Sequence, residues 1–345
     1  MPAIGPDGPL LDSLFSGLYY VIGIPGILLN ALLIFVILFL APKTLRKYRF
    51  LLLNQTFIDL LSSTLLTLSQ VRLIMPGWFN FVYYDLGVLR FTPPYFQYVI
   101  HCIILNNLLP MFCAIPLSFA FRYLVLIERE QPAFISSKDL KYLTLVPYAL
   151  GILSTVSYAL GSESSIFLRE QVRSHYPSYN LSSHVLFGTN LLHFPHQFIA
   201  LFLPTIPVFP TFFLTLRFKS KTIAYLDSHK QTMSPLTLFA HHRIIKALSI
   251  QSMLPFFFLV IPVNVFFVIW FFKLGIPLVE HSLFFCASII GFLNPIATFY
   301  FINPYQQALR TTFKAAVSRR LSLIAPAWVS SAQWSHLQQN AINFP

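Results

Sequence analysis

Residues Tyr95 to Tyr123 read YFQYVIHCIILNNLLPMFCAIPLSFAFRY, with no charged residue before Arg122. At about 1.5 Å per residue this run is long enough to cross the ~30 Å hydrocarbon core of a bilayer with some tilt. A soluble helix of that length would show a polar face, and this one shows none. It is therefore read as a membrane-spanning helix, central in a helical bundle. Its exit is marked by Arg122 between two aromatic rings.

The chain has 345 residues, 56% hydrophobic and 10% charged, with mean hydropathy +0.68. Soluble domains average about 25% charged residues, so the composition points to a polytopic membrane protein. Cys102, Cys113 and Cys286 all fall inside apolar runs, which leaves no disulfide framework and no metal spacing to read. A packing role suits each of them. Residues 1–14 carry Asp7 and Asp12 but no lysine or arginine. Without a basic segment ahead of it, the first apolar run is expected to be a retained span, not a cleaved signal.

Seven apolar runs can be counted: Phe15–Leu40, Phe50–Met75, Tyr95–Phe121, Tyr142–Leu160, Pro195–Leu216, Ala247–Phe272 and Ser282–Ile302. The net charge of +12 is spread unevenly between them. Eighteen of the 23 basic residues lie in the first, third and fifth gaps and after the last run. The other side holds Arg72, Arg90, Arg169, Arg173 and Lys273 among a similar number of acids. This alternation argues for a lipid partner and against a nucleic acid. The positive-inside rule places the N-terminus outside and the C-terminus in the cytoplasm, which requires an odd number of spans. The expected layout is an outer segment over 1–14, a seven-helix domain over 15–304, an interfacial helix over 305–321 and a cytoplasmic tail over 322–345.

Proline is frequent in the spans: Pro110, Pro116, Pro204, Pro207, Pro210, Pro255, Pro262 and Pro295. Proline is common in membrane helices generally, but kinked helices also provide hinge points for a two-state bundle. The long outer loop Gly161–Leu192 contains Asn180-Leu181-Ser182, a glycosylation acceptor pattern. The histidines in and beside this loop, His175, His184, His193 and His196, lack metal-site spacing. After the last span, Leu309, Phe313, Val317 and Leu321 recur every four residues, flanked by Arg310, Lys314, Arg319 and Arg320. That pattern suits an amphipathic helix on an anionic lipid surface.

An ionised carboxylate at the centre of a span costs ~2.5–3.5 kcal/mol on insertion scales, so Asp59 needs a reason. Asn30 and the Asn294-Pro295 pair stand at comparable depth, and the three helices are expected to share a buried polar cluster. Such a cluster either locks the helices together or rearranges between two states.

These residues carry a resemblance. Asn30 after Gly26, Asn54 five residues before Asp59, Arg122-Tyr123 and Asn294-Pro295 resemble the polar landmarks of G-protein-coupled receptors. More narrowly, the chain is similar to the nematode serpentine chemoreceptors of class delta and the related str class. The similarity is carried by residues 52–56 (LLNQT), 115–123 (IPLSFAFRY), 247–255 (ALSIQSMLP) and 299–305 (FYFINPY). It extends over about Tyr19 to Arg310. The sequence departs from the broader pattern at Phe121, where an acid usually precedes the arginine, and at Thr298, where a tyrosine is usual. Gln306 replaces an arginine, and the outer loops hold no cysteine to bridge to the third span.

The resemblance implies an all-α seven-helix receptor that binds an extracellular small molecule and activates a heterotrimeric G protein. It also implies residence in the plasma membrane, by analogy in a sensory cilium. Arg122, Tyr123 and Lys246 are then expected at the coupling face, and Asn30, Asn54, Asp59, Asn294 and Pro295 in the polar switch. The ligand site is expected among Tyr98, His101, Cys102, Leu105, His196, Phe266, Trp270 and His281. These are mainly apolar and aromatic, and no acid in the outer third span offers to pair with an amine. The rival reading is a transporter or a ligand-gated channel. A transporter would show an internal repeat or several intramembrane charges, and a channel a polar pore stripe. Ser282–Ile302 has no lysine to hold retinal, and no nucleophile–base pair points to an enzyme. No cofactor or metal is called for.

Overall fold

The computed structural model describes residues 8–40, 48–127, 139, 142–198, 203, 206–231, 233–302, 305–307, 310–311 and 314. The architecture is a seven-helix bundle with a small antiparallel sheet across one end. Helix α1 (Pro9–Phe35) continues as a π-helical turn, Val36–Leu40. Helix α2 (Arg49–Ser69) is followed by β1 (Val71–Ile74) and β2 (Asn80–Asp85). Helices α3 (Pro94–Asn106) and α4 (Leu108–Ile127) form one column interrupted at Asn107. Then come α5 (Val146–Ala159), α6 (Ser165–His175) and β3 (Phe187–Asn190). After α7 (Val208–Ser228), α8 (Pro235–Pro255) runs through a π-helical stretch, Phe256–Val260, into α9 (Ile261–Phe271). The last column is α10 (Pro277–Phe301). Among the described residues, five columns are long and apolar enough to cross a membrane: 9–40, 49–69, 94–127, 241–271 and 277–301. Helix α5 is a shorter apolar helix.

Helix α10 packs against α1, α2 and α8, and α4 packs against α7. At Gly291 α10 comes so near α2 that an added Cβ would stand 2.3 Å from the Ser63 hydroxyl. Asn30 ties the same point, donating to the carbonyls of Gly26 at 2.8 Å and Gly291 at 2.7 Å. Exposed apolar side chains such as Val21, Leu28 and Phe213 face outward, as the lipid-facing side of a bundle requires.

Several boundaries differ from the sequence expectation. The second apolar run was expected to stay helical to Met75, but α2 stops at Ser69. Gln70 takes a left-handed conformation (φ 55°), and its N–H still bonds the Leu66 carbonyl. The β-branched and aromatic residues that follow pair as strands, Val71 opposite Asp85 and Ile74 opposite Val82. Strand β3 returns from the long loop to the other edge of β2, Asn80 opposite Asn190. Helix α1 begins at Pro9, a position suited to a first turn, inside what was expected to be an outer segment. The fifth run was expected to end at Leu216, but α7 continues to Ser228 through Arg217, Lys219 and Lys221. Lysine and arginine are good helix formers with long stems that reach an interface. Most of the expected interfacial helix over 305–321, and the tail over 322–345, lie outside the described residues.

The sheet has two buried faces. Val71, Leu73, Met75, Phe81, Tyr83 and Phe187 pack onto the bundle. Ile74, Val82, Tyr84 and Leu186 pack against α6 and the loop after it. All three cysteines are free. Where a disulfide would tie α3 to the long loop, hydrogen bonds stand instead. The Tyr98 hydroxyl donates to the Tyr158 carbonyl at 2.9 Å, and Gln197 Nε2 donates to the Tyr98 hydroxyl at 3.2 Å. Thr189 of β3 in turn donates to Gln197 Oε1.

Candidate functional site

Beneath the sheet lies a cavity of about 490 Å³. Its roof is Leu73, Met75, Phe79, Phe81 and Tyr83 of the hairpin. Its walls come from α2 (Ser62, Leu66), α3 and α4 (Ile104, Leu105, Leu108, Met111), α9 (Val263, Phe266, Trp270) and α10 (Leu283, Phe284, Ala287). A volume of ~300–1,000 Å³ is usual for small-molecule sites. The lining is hydrocarbon and aromatic, and among the described residues the only hydroxyls in it are those of Ser62 and Tyr83. The Trp270 indole N–H is committed to the Gly77 carbonyl at 3.1 Å.

The expected ligand residues separate into two groups. Leu105, Phe266 and Trp270 line the cavity. Tyr98 and Cys102 belong to the packed core beside it, with Tyr98 held in the loop clamp. His101 is 1% exposed with neither ring nitrogen hydrogen-bonded to a described residue, and its ring lies tilted against Tyr83 at a centroid distance of 3.8 Å. Tyr83 and Phe284 thus stand between His101 and the cavity. His281 sits in the first turns of α10, its Nε2 3.2 Å from Asp12 Oδ1 and its ring stacked on Phe15. His196 is exposed near Phe194, apart from the lining. The sequence reading passed over the roof itself. Its signal was two short β-branched and aromatic runs, residues 71–74 and 80–85, on either side of Pro76-Gly77.

A polar system stands on the other face of the sheet from the cavity. Arg72, on the outward face of β1, donates to Glu280 of α10 at 2.7 Å and to the Tyr84 hydroxyl at 2.8 Å. Tyr179 donates to the other oxygen of Glu280 at 2.9 Å. This buried pair fastens the sheet to α10, and its satisfied lone pairs are what make burial tolerable.

Deeper in the bundle, Asn294 Nδ2 donates to both oxygens of Asp59, at 3.0 Å each, and Gln55 Nε2 approaches the same carboxylate at 3.3 Å. Gln251 of α8 donates to Thr298 Oγ1 at 2.8 Å and to the Asn294 carbonyl at 3.2 Å. Pro295 and Thr298 edge a small void of about 10 Å³ beside Asp59, the room of a single water. Asn30 joins α1 to α10 one turn away through Gly291. Asn54 is not in this cluster; its Oδ1 accepts from the Tyr148 hydroxyl at 2.8 Å.

At the end of the bundle opposite the sheet, Arg122 is 4% exposed and lies over the Tyr48 ring at 4.8 Å. Among the described residues its Nη1 has no hydrogen-bond partner. Phe121, in the place of the usual acid, packs edge-on against Tyr48. Tyr123 faces the other way, toward Phe218 and the Lys221 ammonium, and Lys246 lies over the Phe301 ring at 5.7 Å. The structure therefore closes Arg122 in aromatics and leaves Tyr123 and Lys246 on neighbouring sides. Asn180 is exposed at the sheet end, its Oδ1 accepting from the Ser182 hydroxyl at 2.8 Å.

The chain is similar to curated proteins of Caenorhabditis elegans. Serpentine receptor class delta-3 is 29% identical over 329 residues, covering 93% of each chain. Serpentine receptor class delta-1 is 28% identical over 303 residues, 86% of this chain and 80% of the relative. Serpentine receptor class delta-2 is 28% identical over 306 residues, 87% and 83% of the two. The family model "Serpentine type 7TM GPCR chemoreceptor Srd" matches residues 15–311, through every helix of the bundle. With its seven columns, buried Asp59–Asn294 contact and membrane-length apolar helices, the chain belongs to this Srd family of multi-pass serpentine chemoreceptors.

Proposed function

We propose that this receptor takes a small, largely apolar molecule into the cavity beneath the sheet and passes the event to a heterotrimeric G protein at the Arg122 end. The observation that carries the reading is the cavity itself: about 490 Å³, walled by four helical columns and roofed by the hairpin. A ligand there touches α9 and α10 together and can favour one arrangement of the helices over another. It shifts the resting–active equilibrium only by as much as it prefers the active arrangement. The Asp59–Asn294 and Gln251–Thr298 contacts then rearrange between α2, α8 and α10. Opening of the far end frees Arg122 from Tyr48 and offers it, with Tyr123 and Lys246, to the G protein. The sheet end with Asn180 faces outside, the basic end faces the cytoplasm, and the receptor resides in the plasma membrane.

The test is a screen of volatile and water-soluble compounds against calcium release in cells expressing the receptor with a promiscuous G protein. Leu105→Trp, which fills the cavity, is expected to lower potency at least tenfold at equal surface level. Arg122→Ala is expected to abolish coupling while ligand binding survives. Potency unchanged in Leu105→Trp would remove the cavity from the account.

A further inference from the structure

Four hydroxyls along α2, those of Thr56, Thr64, Thr67 and Ser69, donate to the carbonyl four residues back at 2.6–2.8 Å. This is where a serine or threonine inside a helix commonly places its proton. Ser62 does not. The carbonyl it would reach, that of Ile58, accepts Asn107 Nδ2 at 3.3 Å, and the same amide donates to Ser62 Oγ at 2.6 Å. Among the described residues the Ser62 O–H meets no acceptor of its own. Ser62 lines the deep part of the cavity, about one helical turn below Leu66. The other hydroxyl in the lining, that of Tyr83, lies 3.4 Å from the Tyr158 hydroxyl, and Tyr158 is not part of the wall. One uncommitted hydroxyl proton therefore stands in a wall of hydrocarbon and aromatic rings, on an oxygen that Asn107 holds from outside the lining.

We propose that Ser62 anchors the ligand, and that the ligand is an apolar molecule with one hydrogen-bond acceptor and no donor: a ketone, ester or ether oxygen on a hydrocarbon frame. This rests on the cavity being the ligand site and adds what that site selects. A carbonyl oxygen placed at Ser62 takes the free proton and leaves no polar group unpaired. An alcohol there either accepts and strands its own proton, or donates and strands that of Ser62. The one other side-chain oxygen among the described lining residues belongs to Tyr83, which is engaged with Tyr158. A group left unpaired out of water costs more than a made bond gains, so the acceptor without a donor is preferred. An ammonium or carboxylate would bring charge against a lining that holds no charged side chain among the described residues. Asn107 stands where α3 gives way to α4, so an oxygen held by Ser62 is also fastened to the joint of that column.

The experiment uses the full chain in lipid nanodiscs and two probes of similar shape, 2-undecanone with a 13C carbonyl and undecane. Affinity is read from the rise of Tm with probe concentration. Partition into the lipid is the same for every variant, so each probe is compared between variants. Both probes are expected to raise Tm of the wild type, and Leu105→Trp, which fills the cavity, to remove both rises. Ser62→Ala is expected to weaken 2-undecanone about tenfold, the upper range for one hydrogen bond, and to leave undecane within about twofold. In infrared spectra, taken as the difference from Leu105→Trp discs, the bound carbonyl is expected at lower frequency than in hydrocarbon solvent. In Ser62→Ala it is expected to move up toward the solvent value, which a loss of packing alone would not produce. Unchanged 2-undecanone affinity in Ser62→Ala, a carbonyl band that this variant does not move, or equal weakening of both probes overturns the anchor and leaves the cavity standing. A wild type that takes neither probe, or rises that persist in Leu105→Trp, overturns the cavity and the anchor with it.

Discussion

Arg72 and Glu280 are 208 positions apart in the chain and 2.7 Å apart in space. Replacing Glu280 by Gln takes away the carboxylate that a buried guanidinium bonds. Breaking a pair of this kind costs about 3–5 kcal/mol, whereas replacing both partners by apolar residues is often neutral. Glu280→Gln is thus expected to lower Tm sharply, and the Arg72→Met, Glu280→Met double variant to recover most of the loss. A double variant as unstable as the single one would show that the pair sets geometry more than charge balance. Asp59→Asn is a different case. Its partners, Asn294 and Gln55, are neutral donors, and an amide oxygen still accepts from one of them. Surface expression is expected to hold while agonist efficacy falls, as read by calcium response at matched receptor level. Part of this was legible in the sequence: Asp59 and Asn294 share a depth, and an acid inside a span requires a partner. Asn54 was grouped with them by spacing. At about 100° per residue it stands roughly 140° around α2 from Asp59, and it meets Tyr148 instead. The Arg72–Glu280 pair was not legible, because nothing local in either segment names a partner on the other side of the molecule.

The hairpin is the element that sequence reading lost and function most needs. Val71-Arg72-Leu73-Ile74 follows an apolar helix with only Ser69-Gln70 between, too short a polar break for hydropathy alone to end the helix. What ends it is the left-handed Gln70 and the gain of ladder hydrogen bonds with residues 82–85, which only the fold supplies. The hairpin turn is latched to α9. Trp270 Nε1 donates to the carbonyl of Gly77, itself at φ 78° where glycine is favoured, and the Lys273 ammonium lies over the Trp78 ring at 4.7 Å. Since α9 follows a π-helical stretch after Pro255, a tug on this latch acts on the segment of the column with the loosest backbone ladder. Trp270→Phe keeps the cavity wall and removes the donor, worth about 0.5–1.5 kcal/mol. Amide exchange over residues 71–85 is expected to quicken roughly tenfold at most, and over α2 to stay unchanged. Equal exchange in the variant would mean that packing alone holds the roof.

At the scale of the whole molecule, the uneven distribution of charge is the argument. The sheet end carries Asp12, Asp85, Glu163, Glu170 and Glu280 beside a few cations, while α7, the turn after it and α8 hold Arg217, Lys219, Lys221, Lys230, Arg243 and Lys246 at the other. Anionic lipid attracts each basic residue near its surface by about 1 kcal/mol, so the two ends differ by several kcal/mol in their preference for a cytoplasmic leaflet. This asymmetry could be read from the sequence because it needs only the order of apolar runs and gaps. The register of the columns against one another could not, since lipid-facing and core-facing residues are almost equally apolar. The orientation that follows is open to a direct check. Epitope tags at Met1 and Pro345 are expected on opposite faces of intact cells, the first accessible to antibody and the second only after permeabilisation. In the same orientation Asn180 lies in the secretory lumen during synthesis, exposed and beside Ser182, so glycosidase treatment is expected to increase gel mobility and Asn180→Gln to abolish that shift. Tags on one face would break the odd count of spans. A glycosidase shift that persists in Asn180→Gln would leave the tags alone to decide the orientation.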